Sequence, residues 1–435
     1  MSRAKSHGAA YLLMGVTLFL VLAGLLMIYS ASSVADYVHR ADSAYHLKRQ
    51  VMFLLVGLVA MFLASRLDLR YTKRVTGVSR DPKRLGWIVW GTSVAGLVAV
   101  LVAGIGKWGA QRWILIGPVP IQPSEFAKLG CILAGAVLLS EWKRHEIDGR
   151  ALTGRLALVV VPVVVLVMVQ PDMGTTVSIV LSMYLLLWLG DVNGRLLVSS
   201  AAVGTVLAGL MIWIEEYRFS RLMAFIDPWK DPKGDGFQII QSLYSFGSGG
   251  LTGVGLGLSK QKFFYLPAAH TDFIFAIIGE ELGLLGTLAI VLAFAIFAYA
   301  GVRIALSASN DFDRLLAGGL TAMVVTQALM NMAAVTGLMP ITGIPLPLVS
   351  YGGSSLIFTL ACIGLVLGVA RRSSGVRPSV SRATGASNNK VAQIRGSQAS
   401  GARGSNSAVS LERRRDGRAY LSGIDGGRPA RRRRA

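Results

Sequence analysis

Apolar residues gather in long windows separated by short polar connections, and a window of roughly 17–25 residues is enough to cross a bilayer core. Ten such windows lie near residues 10–29, 50–65, 87–105, 124–141, 156–170, 174–190, 196–214, 272–300, 315–338 and 350–370. Inside a bilayer every backbone polar group needs an internal partner, so the pattern predicts an all-α, polytopic integral membrane protein with about ten transmembrane helices. The windows at 50–65 and 156–170 are short, and a re-entrant path for either would lower the count to eight or nine.

Lys and Arg in the connections give an independent check, because cytoplasmic loops carry the excess. The 66–86 connection holds Arg66, Arg70, Lys73, Arg74, Arg80, Lys83 and Arg84; the 142–155 connection holds Lys143, Arg144, Arg150 and Arg155; the 301–314 connection holds Arg303 and Arg314. The 339–349 connection, on the other side, has no charge. Ten spans with both termini cytoplasmic fit this alternation, with residues 1–9 as a cytoplasmic N-terminus. The first apolar window lacks a small-residue cleavage pattern and is long enough to stay as an anchor.

Composition sharpens the class. The 435 residues are 53% hydrophobic and 15% charged, with mean hydropathy +0.55, too apolar for an ordinary soluble globule. Much of the formal +21 sits at the end of the chain, where residues 371–435 carry sixteen Lys and Arg against Glu412, Asp416 and Asp425. That tail, 372–435, is rich in Ser, Gly, Ala and Arg without apolar periodicity, so it is expected to be a disordered basic cytoplasmic segment facing anionic lipid or a partner protein rather than nucleic acid. Cys131 and Cys362 both fall in predicted spans, which speaks against a structural disulfide.

The extracytoplasmic side carries the unusual sequence. A loop of about 55 residues, 215–271, separates the seventh and eighth windows, and loops this long are often functional. Its "DPWKDPKGDG" is dense in turn residues, and "GFQIIQSLYSF" predicts a short interfacial helix with Phe237, Ile240 and Tyr244 on one face. "GSGGLTGVGLGLSKQK" resembles a phosphate-cradling glycine loop, but no strand-loop-helix unit surrounds it. The five histidines, at 7, 39, 46, 145 and 270, have no zinc spacing. Trp108 and Trp113 read as membrane-interface anchors beside Lys107 and Arg112.

Ionisable groups nevertheless collect at the outer ends of the spans. "QPSEFAKL" sets Glu125 and Lys128 three apart on one helix face, "VQPDMGTT" sets Asp172 at a Pro-marked junction, and "YLPAAHTDFIFAIIGEELG" brings Asp272, Glu280 and Glu281 toward the eighth window. Each N-terminal acid has a plain alternative as a helix cap. As a group they point to a protein-lined polar cavity opening outward, since an unpaired charge at mid-bilayer costs roughly 2.5–3.5 kcal/mol even on lenient scales. Helical projection places Gly279 and Gly283 near the Asp272 face, a small-residue surface for a close neighbour, and puts Glu280 about 12 Å deeper along the axis.

Residues 331–355, "NMAAVTGLMPITGIPLPLVSYGGSS", resemble the signature of the SEDS family (shape, elongation, division and sporulation), with Asn331, Gly337, Pro340, Gly343, Ser350, Gly352, Gly353 and Ser354 at the pattern's spacing. "RWILIGPVPIQPSEFAKL", "QPDMGT", "FIDPWKDPKGDGFQIIQSL", "GGLTGVGLG" and "YLPAAHTDFIFAIIGEELG" match in the same order, so the resemblance covers about 10–371 and excludes the tail. The TDF stretch is closer to division and sporulation members than to elongation members.

The resemblance implies a peptidoglycan glycosyltransferase that polymerises lipid II into a growing β-1,4 glycan at the outer face of the cytoplasmic membrane, by an inverting displacement. It makes Asp272 the expected general base. Arg112 and Lys128 are the candidates for the pyrophosphate, with Lys260 and Lys262 assisting. Glu125 and Asp172 would orient Lys128 or shape the cavity, one of them contributing to a divalent cation site such as Mg. Ser350 would line the cavity or pack closely. The expected partners are a class B penicillin-binding protein and other division proteins. A precursor flippase and a non-catalytic scaffold are the competing readings.

Overall fold

The computed structural model describes residues 2–67, 82–107, 110–116 and 119–375. The 372–435 tail and the middle of the basic 66–86 connection fall almost wholly outside the described residues.

Ten long apolar helices account for the ten windows. They are α1 (Ser2–Arg40), α2 (Tyr45–Arg66), α3 (Pro82–Ala103), α4 (Pro123–Lys143), α5 (Gly149–Val169), α6 (Met173–Leu189), α7 (Gly194–Ile214), α10 (Ile274–Leu306), α11 (Asp311–Val335) and α12 (Gly353–Gly375). Eight are long and apolar enough to cross a membrane by length and composition, the shorter exceptions being α6 and the described part of α7. The two windows suspected of being re-entrant, now α2 and α5, are full-length at 22 and 21 residues. The outer connections hold two short helices, α8 (Glu216–Ile226) and α9 (Phe237–Gly249). The all-α expectation needs one addition, a three-stranded antiparallel meander of β1 (Ile105–Lys107), β2 (Ala110–Ile116) and β3 (Val119–Ile121).

Lipid and protein select different helices. In α4, 18 of 21 residues are buried, including Glu125 and Lys128, so α4 is a central post with α11 beside it. By contrast α2 and α5 leave Leu55, Val59, Leu63, Val161, Val165 and Val169 exposed, an all-round apolar surface suited to a bilayer. Small residues set the tightest crossings: a Cβ on Gly364 of α12 would lie 2.3 Å from the Met61 carbonyl of α2. Cys131 and Cys362 are buried free thiols.

α10 is broken at Gly283, whose φ of 65° and ψ of −160° suit glycine alone. The break strands backbone groups, and the chain at 250–255 satisfies them. Val254 and Gly255 N–H donate to the Glu280 and Glu281 carbonyls at 2.9 and 3.1 Å, while Leu284 and Leu285 N–H donate to the Gly250 and Leu251 carbonyls at 2.9 and 3.2 Å. Residues 237–262 therefore descend beside the first turns of α10 instead of resting above the bundle. Gly279 and Gly283 do admit a close neighbour, which is α9 and the chain after it: a Cβ on Gly249 would lie 1.9 Å from the Gly279 carbonyl, and one on Gly283 2.4 Å from Gly253 N. The buried face of α9 is Ile239, Ile240, Ser242, Ser245 and Gly249; Tyr244, expected to share a face with Ile240, is exposed.

Candidate functional site

At one end of the bundle meet the start of α6, the β-meander, α8, the turn before α10 and the 336–352 connection. Asp272 lies in that turn, just before the first residue of α10. Projecting it along the helix therefore misplaces it. Its turn is tied down instead by the backbone: Asn331 Nδ2 donates to the Asp272 and Ile344 carbonyls at 2.7 and 2.8 Å, and Tyr351 N–H donates to the His270 carbonyl at 3.0 Å. Gly343, at φ 69°, passes so close that a Cβ there would touch Asp272 Oδ2 at 3.7 Å.

The Asp272 carboxyl is pushed up to about 6, chiefly by burial and further by Asp172, with the positive charges of Arg221 and Arg112 opposing the rise. A carboxylate titrating there is ionised at neutral pH yet basic enough to take a proton. Around it, the buried Asn331 Oδ1 and Thr342 Oγ1 have no hydrogen-bond partner among the described residues, so polar capacity beside Asp272 is not consumed internally.

The other candidates fall into three places. Arg112 flanks the site from β2. Its Nε donates to the Gln170 carbonyl at 3.3 Å, its Nη2 donates to the Pro171 carbonyl, and Nη1 stands 4.0 Å from Asp172 Oδ1. Asp172 is an N-cap: it accepts from Thr175 N at 3.1 Å, Thr175 Oγ1 at 2.8 Å and Gln122 Nε2 at 3.2 Å.

Glu125 and Lys128 are deeper. Lys128 is 2% exposed and donates to Glu125 Oε1 at 2.8 Å and Gln327 Oε1 at 2.6 Å, while Gln327 Nε2 donates to the Pro345 carbonyl at 3.2 Å. This departs from the open, phosphate-facing lysine expected from sequence. Here Lys128 supports, through Gln327, the 336–352 connection that carries Gly343. Ser350 belongs to the same connection. Its buried Oγ accepts from Leu346 N at 2.9 Å, and its carbonyl accepts from Gln50 Nε2 at 3.3 Å.

Lys260 and Lys262 lie in a third cluster. The glycine-rich stretch cradles the Glu280 carboxylate, which accepts from Lys260 N at 2.8 Å, Gln261 N at 3.4 Å and the Ser259 hydroxyl. Glu281 accepts from Ser30 Oγ at 2.7 Å, Ser259 N at 3.4 Å and Lys262 Nζ at 3.3 Å. Although the two acids project about 100° apart, both reach Ser259 because the loop wraps α10 where the helix is broken. The ammonium of Lys262 is thus committed to Glu281 and the Gly257 carbonyl, and only Lys260 presents an exposed side chain.

Among the described residues no group of three His, Cys, Asp or Glu is placed to hold a metal ion, and both carboxylate oxygens of Asp172 and Oε1 of Glu125 already accept from protein donors. Positive charge near Asp272 comes from Arg112 and from Arg221 of α8, whose Nη1 donates to the Ile341 carbonyl at 3.0 Å. Sequence reasoning missed Arg221 and Gln327. For Arg221 the one available signal was its spacing three residues after Arg218 in an amphipathic stretch.

A bundle of long apolar helices with buried acids, and a carboxylate at one end that feels two arginine charges, defines a multi-pass membrane protein, and comparison with known proteins gives the family. Residues 10–375 match the cell cycle protein family of FtsW, RodA and SpoVE, and the chain belongs to it. It is 40% identical over 379 residues to stage V sporulation protein E of Bacillus subtilis, spanning 85% of this chain and 99% of that one. It is 40% identical to the "Probable peptidoglycan glycosyltransferase FtsW" of Geobacter sulfurreducens, over 85% and 97% of the two chains. Among solved structures it resembles a chain of a peptidoglycan synthase complex that coordinates polymerization and crosslinking, with TM-score 0.67, 32% identity and coverage of 84% and 98%. The rod shape determining protein RodA of Thermus thermophilus follows with TM-score 0.60, 29% identity and coverage of 83% and 96%.

Proposed function

We propose that this protein is a peptidoglycan glycosyltransferase that polymerises lipid II at the outer face of the cytoplasmic membrane. The observation that carries the reading is Asp272, a partly exposed carboxylate lifted to about 6 and flanked by Arg112 and Arg221 at the mouth of the bundle. In the reaction the acceptor 4-hydroxyl oxygen forms a bond to the donor anomeric carbon on the face opposite the leaving group. Its proton passes to Asp272, the bond from that carbon to the pyrophosphate oxygen breaks, and the lipid pyrophosphate departs. Arg112 offsets the charge that develops on it, and the charge of Arg221 helps keep Asp272 ionised. Inversion converts the α-linked donor into a β-1,4 product.

The relative named stage V sporulation protein E and those named FtsW support a place in sporulation or division at the septum. The Lys and Arg of the connections support cytoplasmic termini, and the likeness to a synthase complex that coordinates polymerization and crosslinking supports a class B penicillin-binding protein as the cross-linking partner. A flippase would need a polar route across the bundle. Lys128 and Glu125, the ionisable pair inside α4, are instead closed onto each other and Gln327. The deciding experiment gives purified protein lipid II. The wild type should make glycan chains and Asp272→Ala none; normal polymerisation by the variant removes Asp272 as base.

A further inference from the structure

The "DPWKDPKGDG" turn has no part in the chemistry above, yet it builds one wall of a cavity of about 230 Å³ beside the site. Arg221, Lys233, Asp235, Gln238, Pro267 and Ile341 contribute to its lining. Pro267 begins the run that ends in Asp272, and Ile341 is two residues from Gly343, where an added Cβ would lie 3.7 Å from Asp272 Oδ2. The wall is preformed. Asp231 Oδ1 accepts from Gly234 N at 3.0 Å and Oδ2 from Asp235 N at 3.3 Å, and a Cβ on Gly234 or Gly236 would lie 2.0 Å from Asp231 Oδ2 or from the Pro228 carbonyl. Arg221 is fixed on the opposite side by its bond to the Ile341 carbonyl.

We propose that this cavity is a subsite for the peptide part of the substrate, with Arg221 and Lys233 receiving a peptide carboxylate and Gln238 an adjacent amide. The inference rests on the polymerase reading and extends it from the sugar to the peptide. Two properties select that ligand over the lipid pyrophosphate. None of the lining residues belongs to one of the ten long apolar helices, so the cavity is built by the connections and not by the spans among which the lipid tail must lie. Arg221 and Lys233 against Asp235 leave a net charge of +1, which matches one carboxylate and not a pyrophosphate diester. The Gln238 side chain supplies both a donor and an acceptor, as an amide ligand requires.

The test uses the full-length protein in proteoliposomes and two lipid-linked disaccharide-peptides, one with free peptide carboxylates and one with those carboxylates converted to amides. The wild type should show a KM about tenfold lower for the free acid, the size of one charge-assisted contact. Lys233→Glu should raise KM for the free acid about tenfold while leaving kcat, and the KM for the amide, within about twofold. Equal losses on both substrates, or no preference by the wild type, overturn the subsite. If the wild type makes no glycan from either substrate, it is the polymerase reading that fails. Titration with the soluble disaccharide-peptide then decides the cavity, and equal binding by the wild type and Lys233→Glu overturns it.

Discussion

Two regions of this helix bundle hold their carboxylates differently, the Asp272 turn and the helix ends away from it. Away from Asp272, side chains close into direct ion pairs: Lys83 with Glu141 at 2.8 Å, Lys143 with Asp191 at 2.6 Å, Arg155 with Glu141 at 3.5 Å, and the buried Arg372 with Asp313, whose Nε–Oδ2 contact is 3.2 Å. At the Asp272 turn, Arg112 and Arg221 bond to backbone carbonyls, and their charges oppose the rise in the Asp272 pKa that burial drives. Pairing away from that turn holds helix termini together. At Asp272 burial outweighs the two arginine charges and keeps the carboxylate basic enough to take a proton.

The sharpest way to break this comparison is Asp272→Asn, for which glycan synthesis should fall by about 10²–10⁴-fold. The same variant should melt at a higher temperature than the wild type at pH 7. A carboxyl raised on folding from 3.8 to about 6 holds its proton more tightly folded than unfolded, so stability declines as pH climbs through that window and removing the charge recovers it. A variant less stable than wild type would make Asp272 a structural residue. Wild-type turnover, in turn, should decline below pH about 6, and Arg112→Gln should move that midpoint upward by removing a charge that opposes protonation. A midpoint that stays put would separate Arg112 from Asp272.

Away from the Asp272 turn, Arg372→Ala should cost about 3–5 kcal/mol, because it leaves Asp313 buried without its cation; the readout is the yield of folded protein and its melting temperature. Gly283→Ala should cost about 1–3 kcal/mol from the backbone strain alone, with further loss from the clash against Gly253, and should expose residues 250–262 to protease. Smallest of all, Lys143→Ala should shift stability by less than about 1 kcal/mol, since its partner Asp191 is 70% exposed. A loss as large as that of Arg372→Ala would show that the exposed pairs work as one network.

The spans were legible because each is apolar over its whole length, a signal that survives any rotation of the helix. Their ends were less so: α1 continues to Arg40, past the expected stop at 29, because solvated polar residues extend a helix without any hydropathy signal. The β-meander escaped because β1 and β3, of three residues each, carry no usable period, and the seven of β2, "AQRWILI", do not alternate apolar and polar. At the site, Asp272, Asp172 and Arg112 could be named from motif and position. The partners of Lys128 and Glu281 could not, since Gln327 and Ser30 lie 199 and 251 residues away and only packing brings them near. Nor did the face of α9 follow from spacing, because a helix lying in a groove is buried on more than one stripe.

The break at Gly283 also imposes an order on biosynthesis. Residues 250–262 leave the ribosome before Glu280 and Glu281, whose carbonyls and carboxylates complete them. At about 5–20 residues per second, the intervening twenty or so residues take on the order of one to four seconds. During that interval the glycine-rich stretch has neither its hydrogen-bond partners nor its countercharge, and it must wait at the membrane surface until the first half of α10 has been inserted.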